Sequence, residues 1–131
     1  ANPNLGRALT GAWYEVMALM TRRGDQRTTQ ALNVMAKASG ATLTEFQSQL
    51  QTTAMFYTPQ SAVQYTESVE IKQKMDFVRQ FCFRNNLLGQ NAKSANVVGI
   101  QYPDGTVQGD PNNVKLRFNS SYMKLAANGQ L

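Results

Sequence analysis

Up to Gly89 the apolar residues of this chain recur at helical spacing, and beyond it they alternate. Leu5, Ala8, Leu9, Ala12, Trp13, Val16, Met17 and Met20 follow an i, i+3, i+4, i+7 rhythm. Such a rhythm marks the face of a helix that is to be buried, and it predicts that Trp13 lies on the inner side of the first helix. Asn2 and Pro3 supply a cap and a first-turn proline, and Gly24 supplies a stop. Gly6 and Gly11 weaken that helix by about 1 kcal/mol each against alanine, and they suit close packing on a neighbour. Asp25 opens a second helix to about Ser39, with Leu32, Met35 and Ala36 apolar. Thr42 and Glu45 have capping-box spacing, in which hydroxyl and carboxylate each satisfy an orphan N–H. Thr58–Pro59 opens a short fourth helix, and Ser68 caps a fifth. Ile71, Met75, Val78 and Cys82 of that fifth helix are expected inward; Lys72, Lys74, Asp76 and Arg79 are expected outward.

Past Gly89 the signals are those of strands and turns. Val97–Val98–Gly99–Ile100 reads as extended, Pro103–Asp104–Gly105 as a turn, and Val114, Leu116 and Phe118 alternate with Lys115 and Arg117. Asn119 can cap a last helix ending at Asn128–Gly129. The expected architecture is mainly α with a small β element. One segment spans 1–131: helical 1–89, an extended turn-rich element 90–118 and a C-terminal helix 119–131. At most two or three short strands are expected, between Val97 and Phe118.

The residues present narrow the function. The chain of 131 residues has no histidine and a single cysteine, Cys82. That removes the commonest general base and metal ligand, and any internal disulfide. Neither a metal nor a cofactor is expected, and no catalytic residues are assigned. The net charge is +5, but the thirteen Lys and Arg are scattered, with Arg22–Arg23 adjacent and Arg27 just beyond. Nucleic acid is therefore not expected as a partner. Arg22–Arg23 suit the negative end of a helix dipole. No apolar run approaches the roughly 20 residues that span a bilayer. The chain opens at Ala1 without methionine, which predicts processing or truncation.

Other motifs have plain explanations. Gly11–Ala12–Trp13 fits the G-x-W pattern that opens lipocalin barrels, but a barrel needs many alternating strands and this chain supplies helices. Asp104 and Asp110 flank a turn, where aspartates bond their own backbone. Cys82, between Phe81 and Phe83 on an apolar face, reads as an inert thiol. Gly99, Gly105 and Gly109 lack the G-K-[ST] of a phosphate loop.

The ordered set of segments resembles the C-terminal half of the nitrate/sulfonate/taurine-type substrate-binding proteins of ABC importers, including members described as urea binders. The resemblance runs from Asn2–Pro3–Asn4–Leu5 through Ala12–Trp13–Tyr14–Glu15–Val16–Met17, Ala36–Lys37–Ala38–Ser39–Gly40 and Met55–Phe56–Tyr57–Thr58–Pro59. It continues through Met75–Asp76–Phe77–Val78–Arg79, Leu87–Leu88–Gly89, Tyr102–Pro103–Asp104–Gly105–Thr106–Val107, Asn113–Val114–Lys115–Leu116–Arg117–Phe118 and Tyr122–Met123–Lys124–Leu125. It implies the C-terminal part of an α/β two-lobe periplasmic-binding-protein fold of type II. It also implies a periplasmic or exported, non-enzymatic component. The implied partners are the N-terminal part of the same protein, the membrane subunits of the importer and a small polar or anionic solute. Most ligand-binding residues would then lie upstream of Ala1. The rival expectation is a stand-alone helical interaction module without ligand-binding activity.

Overall fold

The computed structural model describes residues 2–22 and 24–131. Helix accounts for 60% of it, which makes the chain mainly α with one small sheet. The helices are α1 (Pro3–Met20), α2 (Gln26–Ala38), α3 (Leu43–Thr52), α4 (Pro59–Thr66), α5 (Val69–Arg84) and α6 (Ser121–Ala127). The strands are β1 (Gly99–Gln101), β2 (Val107–Gln108) and β3 (Val114–Arg117), with short 3-10 turns at Ala95–Val97 and Pro111–Asn113.

The helix starts follow local chemistry. The side chains of Asn2, Asp25 and Ser68 each accept a backbone N–H from the first turn. Both halves of the Thr42–Glu45 capping box are formed. Thr58 Oγ1 accepts from Ser61 N at 3.2 Å, and Asn119 Oδ1 accepts from Ser121 N at 2.8 Å. Each such cap satisfies a donor that a helix otherwise leaves orphaned.

The chain divides into two compact units: one comprises the residues up to Ala62 together with Tyr122–Leu131, the other Val63–Ser121. The divisions fall within α4 and at the start of α6, not at the change of period near Gly89.

In the first unit α2 packs against both α1 and α3. Its interior is small: Met17, Thr28, Leu32 and Ala36 are buried. Thr28 Oγ1 donates to the Leu19 carbonyl at 2.7 Å and ties the start of α2 to the end of α1. A Cβ on Gly6 would collide with the Tyr122 ring, so that glycine permits the close approach its sequence position suggested. Most of the apolar stripe of α1 does not line this interior. Leu5 is 68% exposed, Leu9 70%, Trp13 54% and Val16 40%, against 3% for Met17. The expectation that Trp13 faces inward is thus corrected. Met17 is the buried member of that stripe, at its margin: at 100° per residue it points roughly 100–120° away from Leu5 and Val16.

The second unit has a core of Ile71, Ile100 and Tyr102, with Tyr65, Met75 and Phe118 packed on it. Strand β1 is central in the order β2-β1-β3. It pairs antiparallel with β2, with Ile100 opposite Gln108 and Gln101 opposite Val107. It pairs parallel with β3, and the register shifts between Gly99 and Ile100. The hairpin turn closes with Gly105 N donating to Tyr102 O at 2.9 Å, and Gly105 takes φ +82°. Pro103 and Gly105 thus occupy the turn positions that suit their backbones. All three strands lie between Val97 and Phe118, as the alternation predicts. Strand β3 lies at the sheet edge, which leaves Leu116 exposed despite its place in the alternation.

Two expectations for α5 also change. Arg79, expected outward, is 8% exposed, and Val78, expected inward, is exposed. Ile71 is buried and Met75 half-buried, so the inward face of α5 runs along Ile71–Met75–Arg79.

Candidate functional site

The buried guanidinium of Arg79 organises the polar part of the second unit. Its Nη2 donates to Asp76 Oδ1 at 2.9 Å, one helical turn earlier, and to Asn96 Oδ1 at 3.0 Å. Nε and Nη1 are buried without a hydrogen-bond partner among the described residues. An orphaned donor on a charged group is costly, typically about 1–3 kcal/mol or more, so buried native groups of this kind call for a cause. Gly109, at φ +91°, lies directly over this group: a Cβ there would stand 2.8 Å from Nη1 and would strike the Val98 carbonyl. Glycine is required both for the left-handed backbone and for the clearance.

Beside Arg79 lies an open cleft of about 600 Å³, lined by Asn91, Lys93, Ser94, Asn96, Val97, Gly109 and Asp110. Two residues of its lining, Asn96 and Gly109, also lie against the guanidinium. A second recess, of about 320 Å³, runs along α5 past Phe77, Phe81 and Arg84. The first unit has a shallow recess of about 540 Å³ between the end of α2 and the start of α3.

Of the residues weighed for chemistry, Asp104 and Asp110 are engaged in hydrogen bonds. Asp104 Oδ2 accepts from Lys72 Nζ at 2.5 Å, and its Oδ1 accepts from the Thr106 hydroxyl and N–H at 2.7 and 3.1 Å. The Lys72 ammonium, followed by the Thr106 donors, holds the Asp104 carboxyl down to about 2. It stays ionised and is no acid for catalysis near neutrality. Asp110 caps the turn before β3 by accepting from Asn112 N at 2.8 Å. Cys82 is half-buried. Gly99 and Gly109 allow backbone to pass over backbone: a Cβ on Gly99 would strike the Asp110 carbonyl oxygen. Of the arginine pair, Arg22 is exposed and Arg23 lies outside the described residues.

Beyond Asp76, the α5–sheet contact is polar around a buried ring. Tyr102 stacks on Phe118 with centroids 5.7 Å apart, donates its hydroxyl to Gln108 Oε1 at 2.5 Å, and lies under Lys72 Nζ. Burial pushes the Tyr102 phenol above its ordinary value. Among the described residues no group of three or more His, Cys, Asp or Glu could hold a metal ion, and no helix is long and apolar enough to cross a membrane.

Sequence reasoning missed the Arg79 cluster. The signal was the Asp76–x–x–Arg79 spacing, which places the pair on one helix face, but its covering residues come from Asn96 and Gly109. Comparison with family models, with curated proteins and with solved structures finds no match.

Proposed function

We propose that this chain is the C-terminal part of the substrate-binding component of an ABC importer. It would serve a small polar or anionic solute such as nitrate, a sulfonate, taurine or urea. The observation that carries the reading is the outward stripe of α1. Leu5, Leu9, Trp13 and Val16 lie on one continuous helix face without a charged residue among them. A face of this kind is suited to contact with other polypeptide. In the proposed protein, residues upstream of Ala1 cover it, supply most ligand contacts and complete a two-lobe cleft. The residues described here then act as scaffold, without enzymatic activity. The tight, occupied roles of Asp104 and Asp110 agree with that, as does the resemblance along the sequence. The location would be periplasmic, with the membrane subunits of the importer as partners.

The test is to express the whole source reading frame and the 131-residue chain, and to titrate both calorimetrically with nitrate, taurine, an alkanesulfonate and urea. The reading predicts micromolar binding of one of them by the longer product and nothing tighter than millimolar by the chain. A cleft needs donors from both lobes to displace water from a small solute. Failure of the longer product to bind any small polar solute, or a reading frame that encodes no upstream lobe, would favour a helical interaction module instead.

A further inference from the structure

We infer that the cleft beside Arg79 is a site for a phosphate- or sulfate-type oxyanion, contained wholly within Val63–Ser121. The inference does not depend on the importer reading. Arg79 can only donate, so its Nη2 fixes Asn96 with Oδ1 toward the guanidinium. The Asn96 amide NH2 therefore points away from Arg79. Ser94 Oγ accepts from Asn96 N at 3.2 Å, which commits its lone pair inward and leaves its O–H to donate. Lys93, exposed on the same wall, contributes an ammonium with three donors and no acceptor. The acid on the lining, Asp110, has Oδ1 engaged in its cap. The cleft thus offers an ammonium, a hydroxyl and an amide as donors, which selects a ligand rich in acceptors.

The buried charge supplies the second half of the argument. Arg79 is more than nine-tenths buried, and two of its nitrogens lack acceptors. Gly109, which lines the cleft, also lies against the guanidinium: a Cβ on it would stand 2.8 Å from Nη1. A buried positive charge beside the cleft is weakly screened, and it draws an anion to that side. Nearby Asp76 offsets part of this charge, but it is half-exposed and water screens it more than the guanidinium. A tetrahedral oxyanion has enough oxygens to take the Lys93, Ser94 and Asn96 donors at once. Arg79 is a positioning residue in this arrangement: it orients Asn96 and sets the field, without needing to touch the ligand.

The test is NMR titration of the 131-residue chain with inorganic phosphate and, separately, sulfate, at constant ionic strength held with chloride. Saturable binding with a Kd of about a millimolar is expected, with the largest amide shifts at Ser94, Asn96 and Gly109. Lys93→Glu, on the surface and harmless to the fold, should weaken binding roughly tenfold or more. Asp110→Asn keeps the cap and should tighten it, since it removes a like charge. Arg79→Lys, checked for folding by circular dichroism, should lower affinity by releasing Asn96; Asn96→Ala should lower it similarly without touching the buried charge. The proposal is overturned if neither anion gives saturable shifts. It is equally overturned if the shifts map away from the cleft, or if Lys93→Glu and Asp110→Asn leave the affinity unchanged.

Discussion

The two units bury their apolar residues differently. In Val63–Ser121, Ile71 of α5, Ile100 of β1 and Tyr102 just after it close on each other, and polar contacts through Gln108 and Asp76 fill the margins. In the helical unit most of the longest apolar stripe, on α1, is turned outward, and the interior relies on Met17, Leu32 and the small residues Thr28, Ala36 and Ala62. Both units contain well-formed amphipathic helices. Helical period therefore establishes that a face is apolar, but leaves open whether the rest of the chain or another polypeptide covers it.

Substitutions can break or sharpen this contrast. The largest effect is expected from Ile100→Ala at the centre of the sheet. Removing a well-packed aliphatic side chain costs about 2–5 kcal/mol, read as a lowered urea midpoint with an unchanged slope; a loss below 1 kcal/mol by the same measure would deny this unit a true core. Next comes Arg79→Leu, which removes the guanidinium donor from Asp76 and Asn96. It should cost about 1–3 kcal/mol, and a more stable variant would mean that the orphaned guanidinium nitrogens outweigh the two bonds that are made. Trp13→Ala, by contrast, should cost about 1 kcal/mol or less in this chain, as for other surface positions. A cost as large as that of Ile100→Ala would place Trp13 in a core.

The smallest expected effect is on acid stability. Asp104 titrates at about 2 when folded, against an ordinary value of 3.8. A depressed carboxyl pKa contributes stability above the unfolded value and loses it as pH falls through the folded one. The Lys72–Asp104 contribution should thus fade between about pH 4 and pH 2. Asp104→Asn should flatten that limb of the pH–stability curve slightly, since both partners are substantially exposed. An unchanged limb would mean that water screens the pair completely.

How much of this could be read from the sequence depended on the range of the interactions. Caps at Asn2, Asp25, Thr42–Glu45, Ser68 and Asn119 involve residues two or three apart, and each is where the sequence places it. The Pro103–Asp104–Gly105 turn is local in the same sense. Arg79 was misread because its cover comes from Asn96 and Gly109, far along the chain and without a periodic signature. The parallel pairing of β1 with β3 is likewise invisible to alternation, which gives a strand its faces but not its partner. The cleft combines both failures: its walls are a loop, a turn and a glycine, each ordinary by itself.

The central claim, that the α1 stripe is a covered face in the working protein, is tested most directly by the fluorescence of Trp13, the single tryptophan of the chain. The dilute 131-residue chain should emit at the long wavelength of a solvated indole. The product of the whole source reading frame, with any other tryptophan replaced by phenylalanine, should emit at distinctly shorter wavelength and resist aqueous quenchers. Short-wavelength emission from the dilute chain alone, independent of concentration, would contradict the account, as would a solvated indole in the longer product.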